Sequence, residues 1–323
     1  MTQDDRPTCG YVSAGPIPAE GDGFTVGVVS YRTGPVLDSC LGALLAAAGV
    51  VEILVVDNGN PPEASARLDR LAAAEPRLRV IRPGRNLGFA AGCNLIAARA
   101  RGRLLALVNP DLIVPAATFD ALRACLDADP AAWLCGARLL NPDGSEQRGG
   151  RREVLTPWRA LVETLRLDRL APHHPHFRRL HLLDGAPPET TVAVPVISGA
   201  LMAIRRDRFL ALGGMDEAMF LHLEDIDFCL RVLAAGGRVL YCGGVPVHHH
   251  RGSSDVARWF VEWHKTRSSI RYFNKHFRAT YPGWSLRLIA LLLLARFALV
   301  AGRALPADFG RWLRRLGGGE ARR

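Results

Sequence analysis

The stretch that most constrains this chain is Leu104-Leu105-Ala106-Leu107-Val108, closed by Asn109-Pro110-Asp111. A short unbroken apolar run between Gly102-Arg103 and a turn-forming tripeptide predicts a strand covered on both faces. Pro110 stops the regular backbone, so Asp111 stands just past the carboxyl end of that strand, where open α/β sheets hold their ligands. A carboxylate fixed at such an edge suits Mg²⁺ or Mn²⁺, and that ion in turn suits a diphosphate. Taken alone, Asn-Pro-Asp is equally well read as a turn.

The rest of the first half repeats the pattern. Phe24 to Tyr31 and Val51 to Asp57 are apolar strands, the second again ending in a carboxylate before the turn Asn58-Gly59-Asn60-Pro61-Pro62. Helices are expected from Pro35, over 63–74 and over 88–101, with a shorter strand at 78–82 between the last two. After Asp111 come a helix over 115–128 and a strand over 133–140. Strands alternating with helices of this length predict an α/β fold with a mostly parallel sheet and right-handed crossovers. A dinucleotide fold is excluded, because Ser30-Tyr31-Arg32-Thr33-Gly34-Pro35 lacks the glycine spacing that lets backbone approach a pyrophosphate. The chain has no P-loop either.

The 323 residues can form one large domain with an appendage. The net charge of +10 is concentrated in one place: from Arg271 to Arg323 there are eleven Lys and Arg against two acids. Seven cysteines without a Cys-x-x-Cys pair are expected to be reduced core thiols, which fits the cytosol or the cytosolic face of a membrane. Residues 1–23 read as a flexible leader with no signal peptide. Residues 145–190, rich in Arg, His and Pro, are expected to be a mobile loop or short helices over a cleft. Their His173-His174-Pro175-His176 tract is read as solvated, since no fixed ligand spacing is visible.

The second half carries more acids than structure alone requires. Extended chain is expected over 192–199, a strand leading into a helix from Ala200, and a bend at Gly213-Gly214. Glu224, Asp225 and Asp227 then crowd the first turn of a helix. The helix dipole favours acids there, but one suffices as a cap. Neighbouring acids push one another's pKa upward, which makes a carboxylate a usable proton acceptor, so at least one is expected to be catalytic. Arg238 to Tyr241 is expected to be the last sheet strand, and one of His248, His249 and His250 beyond it could complete the shell of an ion held by Asp111.

Together these segments resemble the family-2 glycosyltransferases of the GT-A fold, especially the rhamnosyltransferase-like branch that builds bacterial cell-surface glycans. The matching pieces are Val29-Ser30-Tyr31, Val55-Val56-Asp57-Asn58-Gly59, Asn86 to Asn94, Asn109-Pro110-Asp111, Ser198-Gly199-Ala200, Gly213 to Glu217 and Glu224 to Arg231. To these add His249, eight residues after Tyr241, and His264-Lys265 followed by Arg271 to His276. The resemblance spans about residues 24–278 and implies an inverting, metal-dependent transfer of a sugar in cell-envelope polysaccharide synthesis. The donor would be a UDP-, dTDP- or GDP-linked sugar and the acceptor a glycan or a polyprenyl-linked glycan. It assigns Tyr31, Asp57, Asn86, Gly88, Asn94, Asn109 and Gly199 to the nucleotide sugar, and Asp111 and His249 to Mn²⁺ or Mg²⁺. Asp225 becomes the general base, with Glu224 beside it as a second catalytic candidate. Three positions depart from the family pattern: Arg32 stands where Asn is usual, Asn60 replaces Ser, and Asn109 leaves a single acid in the metal motif.

Residues 279–323 are expected to be a basic amphipathic helical tail. Leu288 to Gly302 is apolar but interrupted by Arg296 and shorter than the roughly 20 residues a spanning helix needs. Phe309, Trp312, Leu313 and Leu316 then share a helical face opposite Arg311, Arg314 and Arg315. Such a segment lies in an anionic lipid interface, which implies a peripheral enzyme at the inner face of the cell membrane; a helix packed on the domain is the other reading. Two rival functions fit less of the chain. A nucleotidyltransferase needs a Gly-rich basic loop after the first strand, and a nucleic-acid binder has no use for carboxylates at three element ends.

Overall fold

The computed structural model describes residues 21–317 except 170–173, 178–179, 184–185 and 253, with side chains described no further than residue 303. The leader up to residue 20, His173, and the side chains of Phe309, Trp312, Leu313 and Leu316 lie outside the described residues.

Five strands carry the first half: β1 (Gly21–Ser30), β2 (Val50–Asp57), β3 (Leu78–Ile81), β4 (Gly102–Val108) and the short β5 (Leu112–Ile113). Helices α1 (Val36–Ala46), α2 (Pro62–Ala74) and α3 (Phe89–Arg99) connect the first four, and α4 (Thr118–Asp127) leads to β6 (Ala132–Leu140). The second half adds β7 (Arg151–Arg152), α5 (Pro157–Leu165), β8 (Thr191–Ala193), β9 (Val196–Ile197) and β10 (Leu201–Arg205). It closes with α6 (Arg206–Ala211), α7 (Glu224–Ala234), β11 (Arg238–His249), α8 (Arg258–Phe277) and α9 (Gly283–Gly317).

The main sheet runs β3-β2-β1-β4-β10-β6-β11-β5, with β8 on β11, and β7 pairs β9 separately. The β1, β2, β3 and β4 pairings are parallel, as is β6 with β11, whereas β10 runs antiparallel between β4 and β6. The expected mostly parallel sheet with flanking helices is therefore present. In β4, Leu104, Ala106 and Val108 enter a core with α1 and α4, while Leu105 and Leu107 enter a second core with α3, α6 and α7. Alternate side chains each find a covered face, which is why the strand is apolar throughout. Helix α3 lies so close to β1 that a methyl group on Gly27 would come 2.5 Å from Ile96.

Three elements differ from expectation. First, β11 does not stop at Tyr241 but runs to His249, its register against β6 shifting between Cys242 and Pro246. Gly243, Gly244 and Pro246 broke the sequence pattern, yet they sit in an irregularity the strand absorbs. Second, part of the Arg-rich segment is ordered: β7 pairs β9, and α5 starts at Pro157 with Thr156 Oγ1 accepting from the Arg159 amide. Third, α9 is continuous, and Gly283–Arg303 is a 21-residue stretch long and apolar enough to cross a bilayer, only 6% of it buried. Leu286, Ile289 and Leu293 pack on the domain and Arg296 pairs with Glu262 of α8 at 2.9 Å. Trp284, Leu288, Leu291 and Leu299 remain exposed on the other side.

Of the three acids opening α7, Asp227 serves the fold. It has no exposed surface and meets Arg231 at 2.8 Å, Lys275 at 2.6 Å and His276 at 2.7 Å, binding α8 to α7. Burial pushes its pKa up, but His276, Lys275 and Arg231 outweigh burial and hold it down to about 2. A depressed carboxylate stabilises the folded chain fully above its unfolded pKa and loses that contribution as pH falls through the folded one. Asp227→Asn should therefore cost about 2 kcal/mol at neutral pH. In urea titrations the gap to the wild type should close as pH falls from about 4 to about 2.

Candidate active site

The carboxyl ends of β1, β2 and β4 open onto a cavity of about 320 Å³ whose wall includes Tyr31, Asn58, Asn86, Gly88, Asn109 and Asp111. Phe220 and His222, from the loop before α7, close it from the other side. That loop comes in tightly. The Phe89 amide donates to Phe220 O at 2.8 Å, and Gly88, at φ 84°, has no room for a Cβ because one would lie 2.5 Å from the same oxygen. His222 and Leu223 both hold positive φ, 65° and 70°, immediately before Glu224. Two consecutive non-glycine residues in that region store strain of the kind concentrated at functional sites.

Asp111 and His249 meet at this cavity. His250 N–H donates to Asp111 O at 2.9 Å, and the β11–β5 ladder carries His249 inward while His248 and His250 stay exposed. His249 Nε2 lies 3.1 Å from Asp111 Oδ1 and 3.5 Å from Asn109 Nδ2. Gln147 sets the ring's tautomer. Its Nε2 donates to Asn141 Oδ1 and His249 O at 3.1 and 3.2 Å, which leaves Oε1, at 2.7 Å, as the acceptor for Nδ1–H. The Nε2 lone pair then faces a carboxylate oxygen, an arrangement stable only with a proton or a cation between them. An imidazole nitrogen and a carboxylate, oriented by a hydrogen-bonded amide, form a donor set that fits Mn²⁺ or Mg²⁺. Among the described residues no third His, Cys, Asp or Glu joins them, which leaves the remaining positions to ligand oxygens or water.

Asp225 lies next along the site. Its Oδ2 accepts from Gly199 N at 3.0 Å and from Arg152 Nη2 at 2.6 Å, and its Oδ1 from Ile226 N at 2.8 Å. Gly199 precedes Ala200, whose carbonyl accepts from Asn109 N at 2.8 Å. The Gly199–Ala200 pair just before β10 thus ties Asp225 to the Asn109–Asp111 segment. The expectation that adjacent acids raise one another together is met only in part. Burial and then Asp225 push Glu224 well above the carboxylate range. Asp225 is also raised by burial, but Arg152 and the Gly199 amide hold it below its ordinary value. Glu224 is buried and acts on the Cys93 thiol of α3, away from the cavity.

The other expected residues divide. Tyr31, Asn86, Gly88 and Asn109 face the cavity. Asp57 organises the turn behind it: its carboxylate accepts from the Gly59 and Asn60 amides and from Ser65 Oγ at 2.6 Å, and Asn58 takes the place on the wall. Burial raises the Asp57 pKa, but Ser65, those amides and Arg82 bring it below the usual value. Asn94 is not on the cavity wall; its amide bonds Met215 and Glu217 and fixes the Gly213–Glu217 loop to α3. Gly199 touches Asp225, not the cavity. The sequence reading did not single out Gln147, Arg152 or His222. The first two sit in the segment expected to be loose; the Gln147 amide donates to Leu139 O of β6, and β7–β9 pairing orders Arg152.

Known proteins share this fold. A protein of unassigned function from Sinorhizobium fredii is 29% identical across 68% of this chain, although the chain spans only 23% of that protein. An N-acetylglucosaminyl-diphospho-decaprenol L-rhamnosyltransferase of Mycobacterium tuberculosis is 27% identical across 76% of this chain and 82% of its own length. A mannosyltransferase of Pyrobaculum calidifontis, solved with GDP-Man and Mn²⁺, superposes with a TM-score of 0.53 at 18% identity, over 95% of this chain and 84% of that one. The shared architecture is the GT-A fold, and the expected resemblance to rhamnosyltransferases is matched by similarity to proteins bearing that name. Residues 25–184 match the family described as Glycosyl transferase family 2, and that part of the chain is a glycosyltransferase domain of the family.

Proposed function

We propose that this glycosyltransferase moves a sugar, rhamnose or a related hexose, from a UDP-, dTDP- or GDP-linked donor to a hydroxyl of a lipid-linked glycan, inverting the anomeric centre. One observation carries the reading: the Asp111–His249 pair and Asp225 converge through the Asn109–Ala200 and Gly199–Asp225 hydrogen bonds. Similarity to a relative whose name specifies a diphospho-decaprenol acceptor supports the acceptor class.

The residues divide the work. The Tyr31–Asn58–Asn86 wall receives the nucleoside. Asp111 and His249 would hold Mn²⁺ or Mg²⁺, which when bound neutralises charge growing on the departing diphosphate. Asp225 Oδ1, which takes only the Ile226 amide among the described residues, accepts the proton of the attacking hydroxyl. That oxygen forms its bond to the anomeric carbon from the face opposite the diphosphate, whose oxygen leaves with the bonding electrons. Arg152 keeps Asp225 ionised, so the base stands ready without first losing a proton. Glu224, whose pKa burial and then Asp225 push upward, faces the Cys93 thiol of α3 and leaves the proton to Asp225.

Helix α9 places the reaction. Packed along one side and apolar along the other, it rests in the surface of an anionic bilayer at the cytoplasmic face, with the catalytic domain, residues 24–278, above it.

Incubation with labelled sugar nucleotides and Mn²⁺ should release nucleoside diphosphate, and a chain that releases none from any donor is not a transferase. Asp225→Asn should bind donor within about twofold of the wild type in calorimetry while turnover falls about a thousandfold. Gln147→Leu frees the His249 ring and should raise the Mn²⁺ concentration for half-maximal turnover about 10- to 100-fold. A chain ending at Tyr281 should stay in the supernatant when anionic liposomes pellet the full chain; co-sedimentation of both would place the membrane contact elsewhere.

A further inference from the structure

Beside Asp225 positive charge gathers with little to balance it. Gly149 marks the spot: a Cβ on it would lie 3.5 Å from Arg251 Nη2 and 3.8 Å from His181 Cε1. Arg251 Nη2 also donates to Arg148 O, and Arg152 bridges His181 across β7. Lys265 of α8 completes the group, since burial first and then Arg148, Arg152, Arg251 and Lys265 lower His181 to about 4. The acids are already taken. Asp225 meets Arg152 at 2.6 Å and Glu163 meets Arg148 at 2.8 Å, while Arg296 of α9 holds Glu262, the acid that acts on Lys265. Arg251 and Lys265 form no ion pair with any other described residue. Two buried nitrogens of the group, His181 Nδ1 and Arg152 Nε, have no hydrogen-bond partner.

Clustered cations repel one another, and buried donors without acceptors are costly, so the group is arranged for a multivalent anion. Guanidinium groups take phosphate oxygens in pairs, and an ammonium adds a point charge. Arg148, Arg152, His181, Arg251 and Lys265 do not line the nucleotide cavity but adjoin it: Arg251 precedes Gly252 of its wall and feels Asp111, and Lys265 and Arg152 act on His222 there. The group runs from Asp225, which Arg152 meets, to Lys265 of α8, which feels Arg296 of α9. An acceptor reaching the base from a bilayer along α9 would pass it, whereas an ion on Asp111 and His249 would serve the donor's phosphates.

We infer that Arg148, His181, Arg251 and Lys265 form a subsite for the phosphate or diphosphate that joins the acceptor sugar to its lipid. It holds the sugar so that a hydroxyl reaches Asp225, with the prenyl chain leaving toward α9. This inference rests on the sugar-transfer reading and extends it to a named site.

The test uses the full chain and three probes: farnesyl diphosphate, a nucleoside diphosphate with Mn²⁺, and phosphatidylcholine vesicles with or without phosphatidylglycerol. Arg148 and Lys265 are exposed, so Arg148→Gln with Lys265→Gln should fold; Lys265→Gln alone is the second variant should the pair not. The double variant should bind farnesyl diphosphate at least about tenfold more weakly, and Lys265→Gln alone at least about threefold. Nucleoside diphosphate and vesicle binding should stay within about twofold. Arg148→Lys, which keeps the charge, should recover most of the loss. Unchanged farnesyl diphosphate binding overturns the subsite, and so does its absence in the wild type. An equal loss of nucleoside diphosphate gives the cluster to the donor, and a loss confined to phosphatidylglycerol vesicles gives it to bilayer headgroups; either result overturns it. Donor turnover by the wild type is read separately, so a chain that holds farnesyl diphosphate through these residues but hydrolyses no sugar nucleotide fails the transferase reading and not the subsite.

Discussion

A single backbone hydrogen bond, from Asn109 N–H to Ala200 O, joins the two halves of this site. It exists because β10 enters antiparallel between β4 and β6, so the chain reaching β10 arrives beside the segment leaving β4. Gly199 is then in place to donate to Asp225, and Asn109 to lie against His249. Residues more than a hundred positions apart meet there because the sheet brings their backbones together.

The electrostatics separates three neighbouring carboxyls into three states. Asp227 is bonded to cations and holds two helices together, Asp225 is held down by Arg152, and Glu224 is pushed upward by burial and by Asp225. Only the partners differ, because all three open one helical turn. Such partners let an acid-rich turn keep an ionised carboxylate at the site without burying three charges. Arg152 matters to that division as much as any carboxylate, since Asp225 without it would drift toward the behaviour of Glu224.

Much of this was legible in the sequence because strand ends carry their chemistry next to strong patterns. Leu104 to Val108 announced a covered strand, and Asp111 followed it; Glu224 to Arg231 announced a helix with an overloaded first turn. What stayed hidden depends on pairing across long separations. Gln147 and Arg152 lie where no periodicity signals order; Leu139 of β6 holds the first through its backbone, and the two-residue β7 fixes the second only once β9 is beside it. The reach of β11 to His249 was masked by Gly243, Gly244 and Pro246, which read as a break. Adjacency in sequence suggested that Glu224 and Asp225 would titrate alike, whereas tertiary partners decided otherwise.

The irregularity in β11 has an evolutionary corollary. Side chains alternate along a strand, so inserting or removing one residue within Gly243–Val245 would turn His249 outward and bring a neighbour inward. Here both neighbours, His248 and His250, are also imidazoles. A lineage carrying such an indel would keep a nitrogen opposite Asp111, so the run of three gives this edge of the sheet a tolerance to length change that a lone histidine would deny it.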